Sequence, residues 1–483
     1  MELRLRPAGV LVLLLPLVAQ DTRQATGVKA GEVTSDSAIV WMRVTASSSR
    51  NKDGVKSPGR TPGLAITLPA GVAVKDLEGE VPGAPGRVRL RYGARENLAG
   101  AAATAWASVS PERDFTHQFQ LKNLQPSTVY YYAAEVEGHA PLRGSFRTAP
   151  TPETAEDVTF TVITGMMYRD LDHADGFHIY EAMAKLNPRF LVPTGDTVYY
   201  DSEAPRANTV ELARFHWHRM YSLPRLVAFH LRVPAYWEKD DHDTLFNDSW
   251  PAMNPKQMLP MTFADGQRIF LEQAPMGSRT WRTVRWGKRL EVWLVEGRDF
   301  RSPNNMPDGP EKTIWGAEQK RWFKETVARS DAEWKILVSP TPLVGPDRAN
   351  KGDNHANKAF TYEGNELRQW IRKNAGQNFF VACGDRHWQY HSVDPETGVQ
   401  EFSSGPASDE HAGGSPGEDP RYHRFHRVKG GFLSVTAAAQ GISFRFHDVH
   451  GRVVYEHNRP LTFRAATVRE RNTPPATPIS PAR

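Results

Sequence analysis

The chain has 483 residues, too many for one small core, so two or three domains are expected. Its formal charge of +5 comes from scattered lysines and arginines. No basic run with interleaved aromatics is present, which excludes a nucleic-acid footprint and leaves a mildly basic surface suited to anionic substrates. The single cysteine, Cys383, excludes an intrachain disulfide.

In chain order, Met1–Pro7 carries two arginines, and Ala8–Ala19 is an apolar run too short to span a bilayer. That layout predicts a secretory signal peptide over residues 1–19 and an exported protein, in the periplasm, at the cell surface or secreted. The competing reading is an N-terminal membrane anchor. No other stretch is apolar and long enough to cross a membrane, so no stable span is expected after signal cleavage.

From Gly27 to Pro150 the pattern is all-β. Ser37–Val44, Arg87–Tyr92, Phe115–Leu121 and Tyr130–Val136 are strand-like, with alternation or enrichment in β-formers. The Gly/Pro/Lys-rich text between Ser47 and Gly86 predicts a long surface loop or insertion. Asn123–Tyr130 is a turn whose tyrosine can anchor a sandwich corner. The expectation for residues 27–150 is a fibronectin-III-like β-sandwich without chemistry of its own, followed by a linker over Pro150–Asp157.

From Val158 strands alternate with helices, which argues an α/β domain over residues 158–460. Predicted strands are Val158–Ile163, Phe190–Val192, Arg232–Trp237, Leu290–Val295, Trp334–Val338 and Phe379–Cys383. Predicted helices begin at Asp175, with Ile179, Met183 and Leu186 on one face, and run over Glu318–Arg329 and Glu363–Asn374. Phe432–Thr436 and Ser443–Phe446 close the domain as short strands. Residues 465–483 are rich in Pro, Arg and Thr and are expected to be a disordered tail.

Polar clusters follow three of these strands. Gly195-Asp196, with Tyr199 three residues on, ends the strand at Phe190; Gly195 permits a tight turn beside Asp196. Glu238–Asp248 holds Asp240, Asp241, His242, Asp243 and Asn247, a density of carboxylates that repels itself unless a cation sits among them. Gly384-Asp385-Arg386-His387 brings a carboxylate and an imidazole to one turn. Such donors suit Fe, Mn, Zn, Ca or Mg. Taken singly, each has a bland explanation: a helix cap at Asp196, a solvated acidic loop at 240–243, a satisfied buried histidine at 387. Three clusters after three strands of one domain make coincidence a poor account.

The ordered set Gly-Asp (195–196), Asp-Asp-His-Asp (240–243) and Gly-Asp-x-His (384–387) resembles the alkaline phosphatase D (PhoD-like) family of the calcineurin-like metallophosphoesterases. Ala30–Trp41, the exit at Gly144–Pro150, Glu296–Arg301 and Gly316–Trp322 resemble further family segments. The resemblance implies an α/β/β/α four-layer metallophosphatase domain and an exported phosphoric ester hydrolase, a phosphomonoesterase and/or phosphodiesterase. It implies two or more metal ions, Fe with Ca, with Zn, Mn or Mg as alternatives. Their ligands would be Asp196, Tyr199, Asn247, Asp385 and His387, with Asp241 on metal or phosphate. Two such cations activate a water for in-line attack on phosphorus without a covalent intermediate. His242 would protonate the leaving alkoxide or orient the phosphoryl group, and Arg298, Arg301 and Arg386 would clamp its oxygens, unless they serve in ordinary surface pairs with nearby Glu and Asp. The implied partner is a phosphate ester.

One departure stands out. The family carries a metal-binding cysteine after the first strand, where this chain has Gly165. Cys383 is expected to point into the core. Tyr168, Asp170, Asp172 and His173 lie near enough in sequence to compensate, and nothing in the sequence selects among them. The gap motivates an alternative, a non-catalytic binding protein whose degenerate phosphatase domain holds an anionic polymer. A serine- or threonine-nucleophile hydrolase is disfavoured by the lack of Gly-x-Ser-x-Gly.

Overall fold

The computed structural model describes residues 21–57, 67–68 and 70–461. The expected signal peptide, part of the 47–86 loop and the 465–483 tail lie outside the described residues.

Among the described residues, the N-terminal unit is a sandwich of two sheets. One holds Val28–Gly31, Ala38–Arg43 and Thr116–Leu121; the other holds Gly86–Gly93, Val129–Val136 and Leu142–Arg147 with two short flanking strands. Val40, Val88, Leu90, Phe119, Tyr132 and Phe146 close the core between them. Tyr130 does hold a corner: its hydroxyl accepts from the backbone N–H of Gln125 at 2.9 Å.

The second unit has two sheets face to face. A five-stranded sheet runs in the order Phe190–Pro193, Val158–Ile163, Phe432–Ala438, Gly441–His447, Val453–Pro460. A seven-stranded sheet runs Arg282–Trp286, Leu290–Leu294, Trp334–Ser339, Phe379–Cys383, Gln400–Ser404, Gln389–Val393, His423–Arg427. Their facing side chains, including Phe160, Val192, Ile336, Val338, Phe402 and Phe444, form one apolar layer. The other faces are covered by helices, because alternate strand residues point outward. Ile163 and Leu191 pack under His178–Lys185, Val210–Tyr221, Pro224–His230 and Phe263–Gln273. Leu337 and Val381 pack under Gly316–Arg329 and Thr361–Asn374 through Phe323, Val327, Leu367 and Ile371. The order of layers is helix, sheet, sheet, helix.

Two expectations shift. Arg232–Trp237 is no strand: Ala235 alone bridges, to Gly31 on one side and Leu191 on the other. Pro234 removes a ladder donor and breaks the run. That single residue nevertheless stitches the N-terminal sheet to the second unit. The helices Val210–Tyr221, Pro224–His230 and Phe263–Gln273 were not predicted; their buried faces include His216, His218, Arg219 and Gln273, which blur the apolar period. Cys383 is fully buried against Trp388 and Tyr390, as expected.

Candidate metal centre

Parallel pairing aligns the carboxyl ends of Val158–Ile163 with Phe190–Pro193, and of Leu290–Leu294, Trp334–Ser339 and Phe379–Cys383 with one another. The turns leaving these strands therefore crowd at one edge. The backbone N–H of Asp385 donates to Thr164 Oγ1 across 3.3 Å, joining turns of the two sheets. Gly195 has φ +92°, and a Cβ there would lie 2.3 Å from the Asp240 backbone nitrogen. Only glycine lets these two turns approach so closely. Asp196 and Asp385 have φ +55° and +62°. That region costs a non-glycine residue energy, which the surrounding packing must impose.

The result is a buried nest of oxygen and nitrogen donors. One carboxylate oxygen each from Asp196, Asp240 and Asp385 lies within 4.8 Å of the others, and Asp196, Asp241 and His242 form a second such group. Tyr199 donates its hydroxyl towards Asp196 Oδ2 at 3.2 Å and lies 3.2 Å from His387 Nε2. His387 Nε2 is 3.7 Å from Asp196 Oδ2. Asp196 Oδ1 and Asp240 Oδ2 are buried without a hydrogen-bond partner, and a bare buried carboxylate oxygen is costly. Burial and neighbouring carboxylates push Asp196 up to about 6 and Asp385 up to about 7. Cations among these oxygens would relieve both burdens, so the donor set fits metal.

The remaining candidates surround this nest. Asp241 accepts from the backbone N–H groups of His242 at 2.9 Å and Asp248 at 2.6 Å. Burial opposes its ionisation, yet Arg298 and His242 hold its carboxyl below the usual range. The His242 ring lies tilted against Tyr199, with 4.4 Å between centroids, and pairs through Nδ1 with Asp201 Oδ1 at 2.7 Å. Burial disfavours its cation, but Asp201, Asp241 and Asp196 outweigh that and push the imidazolium pKa well up. Burial, then His242 and Arg386, bring His387 down to about 3, leaving it a neutral imidazole.

The three arginines are all buried. Arg298 donates through Nε to Asp240 and lies 3.6 Å from Asp241 through Nη2, while its Nη1 and Nη2 have no hydrogen-bond partner. Arg301 sits over Phe360 at 4.7 Å and donates to Asn304. Arg386 is held by Asp385, by Asp353 at 3.0 Å and by Asp347 at 3.3 Å. Surface pairing is therefore the wrong picture for them. Asn247 is not drawn into the nest by any hydrogen bond of its side chain; it is exposed, and its backbone N–H donates to Asp201 Oδ2 at 2.9 Å.

The profile of the PhoD-like phosphatases matches residues 160–459, and that of their N-terminal domain matches residues 17–150. The chain belongs to the PhoD-like phosphatase family. Alkaline phosphatase D of Bacillus subtilis (strain 168) is 23% identical over 350 residues, which is 65% of this chain and 54% of that protein. The match thus spans about half the length of that relative. Among solved structures, PhoD superposes with a TM-score of 0.71 at 16% identity, covering 92% of each chain. A purple acid phosphatase, PPD1 from yellow lupin (Lupinus luteus) seeds, gives 0.58 at 11% identity, covering 89% of this chain and 73% of that one. Both show the metallophosphatase fold.

Within this PhoD-like frame several groups take roles that the sequence did not assign. Asp240 belongs to the carboxylate nest, and Asp201 orients His242. Asp243 accepts from the Asp240 backbone N–H at 2.7 Å and stiffens the turn. His411, in a loop far along the chain, places Nε2 2.8 Å from Tyr199 Oη. No local motif marks it. Of the residues near Gly165, Asp170 reaches the centre, through His411, whose Nδ1 lies 2.8 Å from its carboxylate. Tyr168 is engaged by Glu78 and Arg50, Asp172 accepts from the His178 backbone, and His173 lies beside Asp175.

Proposed function

We propose that this PhoD-like protein is a metal-dependent phosphoric ester hydrolase, acting on mono- or diesters by direct attack of water, with no covalent enzyme intermediate. The observation that carries this is the convergence of Asp196, Asp240, Asp241 and Asp385 with Tyr199 and His387, two carboxylate oxygens of which lack any partner. Asp196, Tyr199, Asp241, Asp385 and His387 are the proposed holders of two cations, with Asn247 at the rim. When bound, the cations would supply Lewis acidity, lowering the pKa of a water and neutralising phosphoryl charge.

The chain's own residues do the rest. His242, kept cationic by Asp201, is poised to give a proton to the leaving alkoxide. Arg298 donates through Nε to Asp240 and lies beside Asp241, so its charge holds the two carboxylates together next to the proposed cations. Arg386 holds Asp385 in place against Asp347 and Asp353. Secretion belongs to the same proposal and rests on residues 1–19; mature protein beginning near residue 20 in a periplasmic or culture fraction would support it.

The test is hydrolysis of nitrophenyl phosphate and bis-nitrophenyl phosphate by protein loaded in turn with iron, calcium, zinc or manganese. Turnover that a chelator removes and added metal restores is expected. Metal-replete protein inert towards both esters would overturn the enzyme reading in favour of a degenerate binding domain.

A further inference from the structure

We propose that His411 is a metal ligand of this chain, filling the place that the absent side chain of Gly165 leaves open, and that Asp170 is its positioning residue. This rests on the metal-centre reading above and adds a ligand to it.

Asp196 Oδ2, His387 Nε2 and His411 Nε2 are arrayed around the hydroxyl oxygen of Tyr199. That oxygen is 3.2 Å from Asp196 Oδ2, 3.2 Å from His387 Nε2 and 2.8 Å from His411 Nε2. The two imidazole centroids are 4.1 Å apart. Asp170 Oδ2 lies 2.8 Å from His411 Nδ1. A carboxylate only accepts, so that bond places the proton on Nδ1 and leaves a lone pair on Nε2. The phenol has one proton and faces lone pairs on Asp196 and His411. It can satisfy only one of them, and a cation satisfies all. Imidazole ligands of metals characteristically give their other N–H to a carboxylate, as His411 does.

Gly165 explains why the imidazole fits. A Cβ on that residue would lie 3.2 Å from His411 Cδ2 and 3.3 Å from His387 Cδ2. The loop bearing His411 is fastened on both sides: the Ala407 N–H donates to the Gly165 carbonyl at 3.1 Å, and the Gly413 N–H to the His387 carbonyl at 3.0 Å. Residue 165 and residue 411 therefore compete for one volume, and this chain gives it to the imidazole.

The experiment measures zinc stoichiometry and affinity for the wild type, His411→Gln, Asp170→Asn, Gly165→Cys/His411→Ala and Asp196→Asn, each shown folded by its thermal melt. His411→Gln should lose one zinc or bind it far more weakly. Asp170→Asn should weaken it by about 10–100-fold. The cysteine-bearing double variant should recover the zinc lost in His411→Gln. In wild-type protein, zinc should shift the 15N resonance of His411 Nε2. Unchanged zinc affinity in His411→Gln, or no shift of that resonance in zinc-loaded wild type, overturns the assignment while Asp196→Asn still reports on the centre itself. Wild type that takes up no zinc, iron or manganese overturns both.

Discussion

Gly165 and His411 stand so close that a Cβ on the glycine would come within 3.2 Å of the imidazole ring. The glycine also has φ +61°. Gly165→Ala should therefore lose about 1–2 kcal/mol from the left-handed backbone alone, and it should weaken metal binding by displacing His411. Chemical denaturation read beside a zinc titration checks both. Wild-type affinity in a destabilised Gly165→Ala protein would show that the crowding at His411 does not matter.

Asp201 holds the proton on His242. Asp201→Asn should bring the His242 pKa down, so the alkaline limb of the pH–rate profile should move to lower pH. The rate near neutrality should fall by about 10²-fold or more, the scale of general acid catalysis. A profile superimposable on wild type would remove His242 from the proton-transfer role.

Glu203 links acid to unfolding. Burial alone would raise its carboxyl, but Arg219 at 2.6 Å and His216 bring it down to about 2 from an ordinary 4.5. A depressed carboxyl contributes stability that is present above pH 4.5 and is lost as pH falls from 4.5 towards 2. That contribution is on the order of 3 kcal/mol. Melting temperatures followed from pH 6 to pH 3 should fall more steeply for wild type than for Glu203→Gln. Parallel curves would mean the pair contributes nothing that acid removes.

Lys29 is one of the contacts between the two units. Its ammonium sits 3.9 Å from the Trp41 ring centroid and 4.5 Å from that of Tyr221, and it donates to the Gln273 carbonyl at 2.7 Å. Tyr221 and Gln273 belong to helices of the second unit, so one buried side chain ties both together, even though burial and then Arg43 push its pKa well below the usual lysine value. Lys29→Ala should cost roughly 2–4 kcal/mol, and Lys29→Met should cost less because it keeps the stem. Calorimetry of both variants decides it; equal melting points would rule out the cation–π cage as a source of stability.

Much of the fold was legible because apolar period is a local property. Val158–Ile163, Trp334–Ser339 and Phe379–Cys383 are short buried runs, and Gly316–Arg329 and Thr361–Asn374 repeat their apolar residues at helical spacing. Val210–Tyr221 was not legible, because its buried His216, His218 and Arg219 read as solvent-facing until their ion-pair partners Glu203, Glu80 and Asp114 are known. Arg232–Trp237 misled in the opposite sense, since its β-formers flank a proline.

Sequence alone determined the turns that place Asp196 and Asp385 after strands, because a glycine and a carboxylate at a strand end can be seen within a few residues. Tertiary structure alone decided what meets them: that Asp240 joins the nest, that Asn247 stays exposed, that the arginines lie buried against carboxylates, Asn304 and Phe360, and that His411 stands in the space beside Gly165. Tyr199 and His411 are 212 positions apart. No local pattern encodes such a contact, since it exists only once two sheets have packed and brought their loops to a common edge.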